Sequence, residues 1–293
     1  MTATVNEETV GEFTAPTPEE VGVGYDEYLG LHKLIAAEFS LHIGAWSPIG
    51  ERKPARTLLD LSNRTQDKQT EHHIKTLAMN AGEHLLDIGC GAGLPAIEFV
   101  KASGVRATGI NVSRGQLAEA VKTAEAEGVT DRVDFQYGDA MALEFPDETF
   151  DSALSIEVFA HLSDRQKAFH EAARVLKPGG YFLVSDFTLR GEPTEEQLTA
   201  YLQTWHCMPP ITPAKIMEMA ATAGFELIQV ENMTQNTAFT GELMGLLYGD
   251  RRAEIVDLYG AEAVAEMDYV IPLVRSFFRE HLGSYLFLLR KPA

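Results

Sequence analysis

The stretch HLLDIGCGAGLPAIEFV, residues 84–100, joins an apolar run to a cluster of small residues and then to a second apolar run. Gly89, Gly91 and Gly93 recur at every second position. Glycines there let the backbone turn sharply and approach a ligand closely. A dinucleotide-binding turn asks for G-x-G-x-x-G, and its third glycine would fall at Leu94. A Walker-type phosphate loop is excluded, since no Gly-Lys-Ser/Thr follows. Asp87 stands two residues ahead of the first glycine. A carboxylate at that place suits a positively charged ligand group and would repel a pyrophosphate. The chemistry indicated is the binding of a nucleotide-like ligand with a cationic part.

Further chemistry-bearing residues stand at predicted strand ends. His161 lies in SIEVFAHLSDRQ and Asp186 in VSDF. The chain has nine histidines, so most must be structural. His72 and His73 are adjacent in a predicted helix, point in different directions and make a poor metal pair. No Cys/His cluster has zinc spacing and no carboxylate array suggests magnesium, so no metal is expected. Cys90 and Cys207 are far apart and read as free thiols. The net charge of -19 opposes nucleic acid and anionic membranes as partners. No apolar run reaches the ~20 residues of a transmembrane helix. The first residues lack the charged and apolar regions of a signal peptide. A soluble, cytoplasmic protein with a small-molecule substrate is expected.

The elements that must position these residues follow a pattern. Residues 1–20 read as a disordered tail, rich in Thr, Glu and Pro. Residues 21–80 read as an N-terminal helical cap, with helices over 25–39 and 64–80. From residue 81 strands and helices alternate, which implies a parallel sheet. Strands are expected at 84–89, 106–112, 132–139, 150–157, 181–187, 225–233 and 284–291, with a turn at Lys177–Gly180. Residues 237–282 read as helical and are expected to form a lid over a substrate pocket.

Four segments in this order resemble the motifs of class I S-adenosylmethionine-dependent methyltransferases. DIGCGAG resembles the first motif, TGINVSRGQ the second-strand motif, YGDAMALEFPDETFD the adenine-binding motif, and RVLKPGGYFLVSDF the motif before strand 5. The resemblance covers roughly residues 25–293. It implies a Rossmann-like, doubly wound α/β fold: a seven-stranded, mostly parallel sheet with N-terminal helices and a helical insertion between strands 6 and 7. It implies S-adenosylmethionine as cofactor. Gly89 and Gly91 would approach its methionine part, and Asp87 would orient its amino group. Asn111 stands where many family members carry an acidic ribose ligand, so Asn111 and Gln116 would share the ribose. Asp139 and Ala140 would face the adenine. Glu157 ends strand 4 beside the methionine end.

The chain also resembles sugar and polyketide O-methyltransferases of bacterial natural-product pathways. That similarity implies His161 as general base, because an alcohol's pKa lies far above neutral. Asp186 would accept a proton, orient His161 or bind a substrate hydroxyl. Where some of those sequences carry two adjacent histidines, this one has Ala160-His161. Tyr25, His42 and Trp46 would lie near the cofactor, an aromatic ring by a sulfonium being a cation–π contact. Two other readings stay open: a C- or N-methyltransferase, with a prenyl diphosphate or aromatic carbon among its acceptors, and a cofactor-binding cyclase. A homodimer is compatible with the exposed helices.

Overall fold

The apolar runs at the predicted strands are buried on both faces, as strands covered by helices on two sides must be. The computed structural model describes residues 14–35, Gly44 and 55–293. Its strands are β1 (His84–Ile88), β2 (Arg106–Asn111), β3 (Val133–Tyr137), β4 (Phe150–Ile156), β5 (Leu176–Leu189), β6 (Glu226–Asn232) and β7 (Leu282–Arg290). They form one sheet in the order β3-β2-β1-β4-β5-β7-β6. β1 to β5 pair in parallel, and β7 runs antiparallel between β5 and β6. This is the doubly wound, mostly parallel sheet expected from the sequence.

The helices are α1 (Pro18–Glu27), α2 (Leu29–Ile35), α3 (Leu58–Leu77), α4 (Leu94–Ser103), α5 (Arg114–Ala126), α6 (Arg165–Val175), α7 (Glu195–Trp205), α8 (Pro213–Thr222), α9 (Gln235–Tyr259) and α10 (Ala261–Glu280). One core joins Leu86, Ile88, Phe169 and Phe182 on the α6 and α8 side. A second joins Leu85, Ile97, Phe99, Leu183 and Leu286 on the α3 and α4 side. Each such side chain contributes roughly 1.5–3 kcal/mol on full burial. Between them these two cores fix the carboxyl ends of β1, β2, β4 and β5 as a common edge.

Several expectations need correction. The tail expected over 1–20 gives way to α1 at Pro18. Thr17 caps α1, Glu20 completes a capping box, and Pro18 fills the first turn. The single helix expected over 25–39 is broken at Tyr28, between α1 and α2. The turn expected at Lys177–Gly180 is part of β5, which enters through a bulge where the pairing with β4 shifts register. Gly179 takes a positive φ of 81° there. The expected insertion is helical, as α9 and α10. It packs on itself, on α7 and on β7, with Tyr201 stacked on Phe277 at 4.5 Å between ring centroids.

Candidate active site

The site begins at the carboxyl end of β1. Gly89, Gly91 and Gly93 all take positive φ, between 53° and 83°. At Gly93 a Cβ would lie 2.5 Å from the Phe135 ring, so only glycine lets α4 start this close to β3. At Gly91 a Cβ would meet nothing within 4 Å, because that side opens on a pocket.

The pocket encloses about 1020 Å³, its open mouth included. It brings together Asp87, Gly89, Gly91, Asn111, Gln116, Asp139, Ala140, Glu157, His161 and Tyr25. Among the described residues, none from α9 or α10 lines it; the covering element is α1, through Pro18, Val21 and Tyr25. Trp46 and His42 lie outside the described residues.

Asp87 is 2% exposed, and burial pushes its carboxyl up to about 7. Its Oδ2 has no hydrogen-bond partner among the described residues. A buried carboxylate left in that state is a receptor for a cationic donor. At the end of β2 the Asn111 Nδ2 donates to Gln116 Oε1 at 2.7 Å and to the Gly91 carbonyl at 3.3 Å. The two amides therefore hold each other at the pocket wall. After β3, Asp139 Oδ1 accepts from the Met141 N–H at 2.8 Å, which fixes the Asp139-Ala140 turn. The Met141 sulfur accepts from the Asp164 N–H at 3.3 Å. Glu157 directly follows β4 at φ 57°, a left-handed conformation that costs a non-glycine residue on the order of 1–3 kcal/mol. Its N–H is held by the Ser185 carbonyl at 2.7 Å.

His161 sits in a short 3-10 turn, Phe159–His161. Burial pushes its pKa down to about 4, so the ring is neutral near pH 7. Nδ1 faces the His206 carbonyl at 3.4 Å, and a carbonyl only accepts, so Nδ1 carries the proton. Nε2 is then the free base. The Tyr25 hydroxyl donates to it at 3.1 Å, with the two rings edge to face at 5.5 Å.

Asp186 does not line this pocket. Its Oδ2 accepts from the Phe159 N–H at 2.6 Å and its Oδ1 from the Phe187 N–H at 2.6 Å. Burial raises its pKa to about 6. Arg165, which the sequence reading passed over, holds the same turn from the other side. It donates to the Phe159 carbonyl at 2.7 Å and twice to the Pro209 carbonyl at 3.1 Å. A carboxylate thus takes the N–H end of the His161 turn and a guanidinium its carbonyl end. The only sequence signal was position, since Arg165 opens the helix directly after His161. Asp26 was also passed over. It accepts from Ser113 Oγ at 2.5 Å and the Gly115 N–H at 3.0 Å, so it ties α1 to the start of α5.

A glycine turn below an orphan carboxylate, polar groups at successive strand ends and a neutral histidine at the rim define a class I methyltransferase cofactor domain. Comparison with known proteins names the family. Residues 86–184 match the methyltransferase domain model. The chain is 40% identical over 180 residues to the 27-O-demethylrifamycin SV methyltransferase of Amycolatopsis mediterranei, spanning 61% of this chain and 62% of that protein. It is 30% identical over 278 residues to the (+)-O-methylkolavelool synthase of Herpetosiphon aurantiacus, spanning 94% of this chain and 95% of that one. Among solved structures it is similar to the [4+2]-cyclase SpnF, at 28% identity and TM-score 0.81, covering 96% of this chain and 98% of that one. A cyclopropane synthase of Mycobacterium tuberculosis, at 21% identity and TM-score 0.82, covering 94% of this chain and 99% of that one, shares the fold. The chain belongs to the S-adenosylmethionine-dependent methyltransferases, and its cofactor is S-adenosylmethionine. The residues present fit that cofactor, because the orphan Asp87 oxygen asks for the kind of donor its amino group supplies. Among the described residues no cluster is arranged to hold a metal ion, and no helix is long and apolar enough to cross a membrane.

Proposed function

We propose that the protein methylates a hydroxyl of a small natural-product acceptor, with His161 as the general base. The carrying observation is the neutral His161 whose Nε2 faces the pocket while Nδ1–H is held by a backbone carbonyl. When bound, the cofactor supplies an electrophilic methyl group on a sulfonium. Asp87 holds the amino group, Asn111 and Gln116 the ribose, and Asp139 with the Ala140 N–H the adenine. Glu157 borders the methionine end. The acceptor hydroxyl takes the place of the Tyr25 hydroxyl and gives its proton to His161 Nε2. The methyl group would pass to that oxygen, with the C–S electron pair remaining on the cofactor's sulfur. The Asp186–Arg165 clamp keeps His161 in reach, a positional demand that general-base catalysis imposes. Helices α9 and α10 would shape the acceptor side from beyond the cofactor pocket.

The likeness to SpnF favours a second reading, a cyclase that keeps the cofactor without spending its methyl group. One assay separates the two. The protein is incubated with methyl-labelled cofactor and 27-O-demethylrifamycin SV, the acceptor that the name of the Amycolatopsis relative implies. Label in the product is the expected result. His161→Ala should lower kcat about 10²–10⁴-fold, with S-adenosylhomocysteine affinity within about twofold of wild type. Turnover of acceptor without label would point to the cyclase, and unchanged kcat in His161→Ala would remove the base assignment.

A further inference from the structure

Among the described residues α9 lines no part of the cofactor pocket, yet its last residue, Tyr259, touches the cover of that pocket. The Tyr259 hydroxyl accepts from the Leu31 N–H at 3.0 Å and donates to the Glu27 carbonyl at 3.5 Å. An unbroken helix would join those two groups directly, as an i to i−4 bond. The ladder resumes one residue on, where the His32 N–H reaches the Tyr28 carbonyl at 3.0 Å. A side chain inserted into the ladder is one of the few causes of a sharp bend in a helix. It gives a physical reason for the break at Tyr28, in a stretch whose periodicity reads as one helix.

The surroundings of that hydroxyl leave room for it and little more. A Cβ at Gly30 would lie 3.1 Å from it. The Tyr28 ring lies 6.0 Å from the Tyr259 ring. Leu31 and Leu34 pack against the cluster of Tyr248, Ile255 and Val264, so α2 is seated on α9 and α10. From the same joint α1 extends over the cofactor pocket, where Pro18, Val21 and Tyr25 line it and Tyr25 reaches His161. At ~1.5 Å per residue Pro18 lies about 13 Å from Glu27 along α1, and a tilt of about 10° at the joint would move it about 2 Å.

We infer that Tyr259 is a positioning residue of the cofactor site: its hydroxyl sets the angle at which α1 leaves α2 and so holds α1 closed over the bound cofactor. The helical insertion between β6 and β7 is then a brace for the cover rather than the cover itself. The inference concerns retention of the cofactor, so it stands whichever acceptor the protein methylates and whatever the role of His161.

The test reads release. Tritiated S-adenosylhomocysteine is bound to the full chain and chased with unlabelled excess. Tyr259→Phe keeps the ring and removes the hydroxyl, which leaves the Leu31 N–H and the Glu27 carbonyl to each other. It should speed release about two- to tenfold, the worth of one hydrogen bond. Gly30→Ala keeps the tyrosine but crowds its hydroxyl, and it should speed release by a similar factor, about two- to tenfold. In the double variant the added methyl meets only Leu258 Cδ1 at 3.7 Å and the ring at 3.9 Å, which are ordinary contacts. Release there should be no faster than in Tyr259→Phe alone, whereas general loosening of the fold would multiply the two factors. Unchanged release in either single variant, or multiplied factors in the double variant, overturns the inference. A failure of the methyl-transfer reading would appear only in the label-transfer assay, which the chase does not use.

Discussion

The tautomer of His161 is decided by the His206 carbonyl, and the protonation state by burial. Both leave Nε2 basic near neutral pH. A base with a pKa near 4 is neutral above that value and charged below it. With cofactor saturating, kcat should therefore stay level from about pH 8 down to about pH 5 and fall only toward pH 4. A break near 6.5, the ordinary value for histidine, would show that the ring is not held as described. Arg165 gives a second check at this scale. Lysine keeps the charge but cannot fork to the Phe159 and Pro209 carbonyls. Arg165→Lys should lower kcat about ten- to hundredfold, since a displacement of ~1 Å can cost ~10²-fold. S-adenosylhomocysteine affinity and acceptor KM should stay within about twofold, a split that general destabilisation would not produce. The sequence placed Asp87, Asn111, Asp139, Glu157 and His161 on one pocket because each lies at or just past the carboxyl end of a strand that periodicity and motif order locate. It did not mark Arg165, since its contacts are to backbone carbonyls of Phe159 and Pro209, and Pro209 lies 44 residues away.

At the scale of elements, the cover of the cofactor pocket among the described residues is α1. It is tied down by Asp26 at the start of α5, by Tyr25 at His161, and by close backbone packing at Gly22. A Cβ at Gly22 would lie 2.4 Å from the Val112 carbonyl oxygen. Gly22→Val should therefore lift α1 and speed S-adenosylhomocysteine release about tenfold or more in stopped flow, with the melting midpoint little changed because α1 carries little of the two main cores. Unchanged release would mean that α1 does not gate the pocket. The helix was misread because composition outweighed local signals. Thr17, Pro18 and Glu20 spell a capping box with proline in the first turn, yet a Thr- and Glu-rich stretch with few large apolar residues looks like a tail. The turn expected at Lys177–Gly180 failed for a related reason. Pro and Gly punctuate most chains, but here a bulge carries them inside β5. Helical periodicity did reveal α9 and α10, but it cannot say which surface they cover, and they cover α7 and β7.

At the scale of the whole molecule, a chain of net charge -19 buries, among its described residues, one orphan carboxylate oxygen, that of Asp87, in the wall of its cofactor pocket. Its folded pKa of about 7 lies above the ordinary 3.8. Between those values the free folded protein holds a proton that the unfolded chain has lost, so this group opposes folding increasingly as pH rises through that window. A bound ammonium reverses the effect by favouring the ionised carboxylate. Ligand binding must then release the proton, and affinity must grow with pH up to about 7. S-adenosylhomocysteine at about 100 times its Kd should add ~2.7 kcal/mol, or about 5–10 °C at the midpoint for a chain of this size. At fixed ligand concentration that shift should be larger at pH 8 than at pH 6. 5′-Methylthioadenosine, which lacks the amino-acid end, should give a shift that does not vary between those pH values. Asp87→Asn should weaken S-adenosylhomocysteine binding about ten- to hundredfold, the loss of a charge-assisted hydrogen bond, and flatten its pH dependence. Equal pH dependence for the two ligands would place the titrating group elsewhere in the pocket and take the amino-group role away from Asp87.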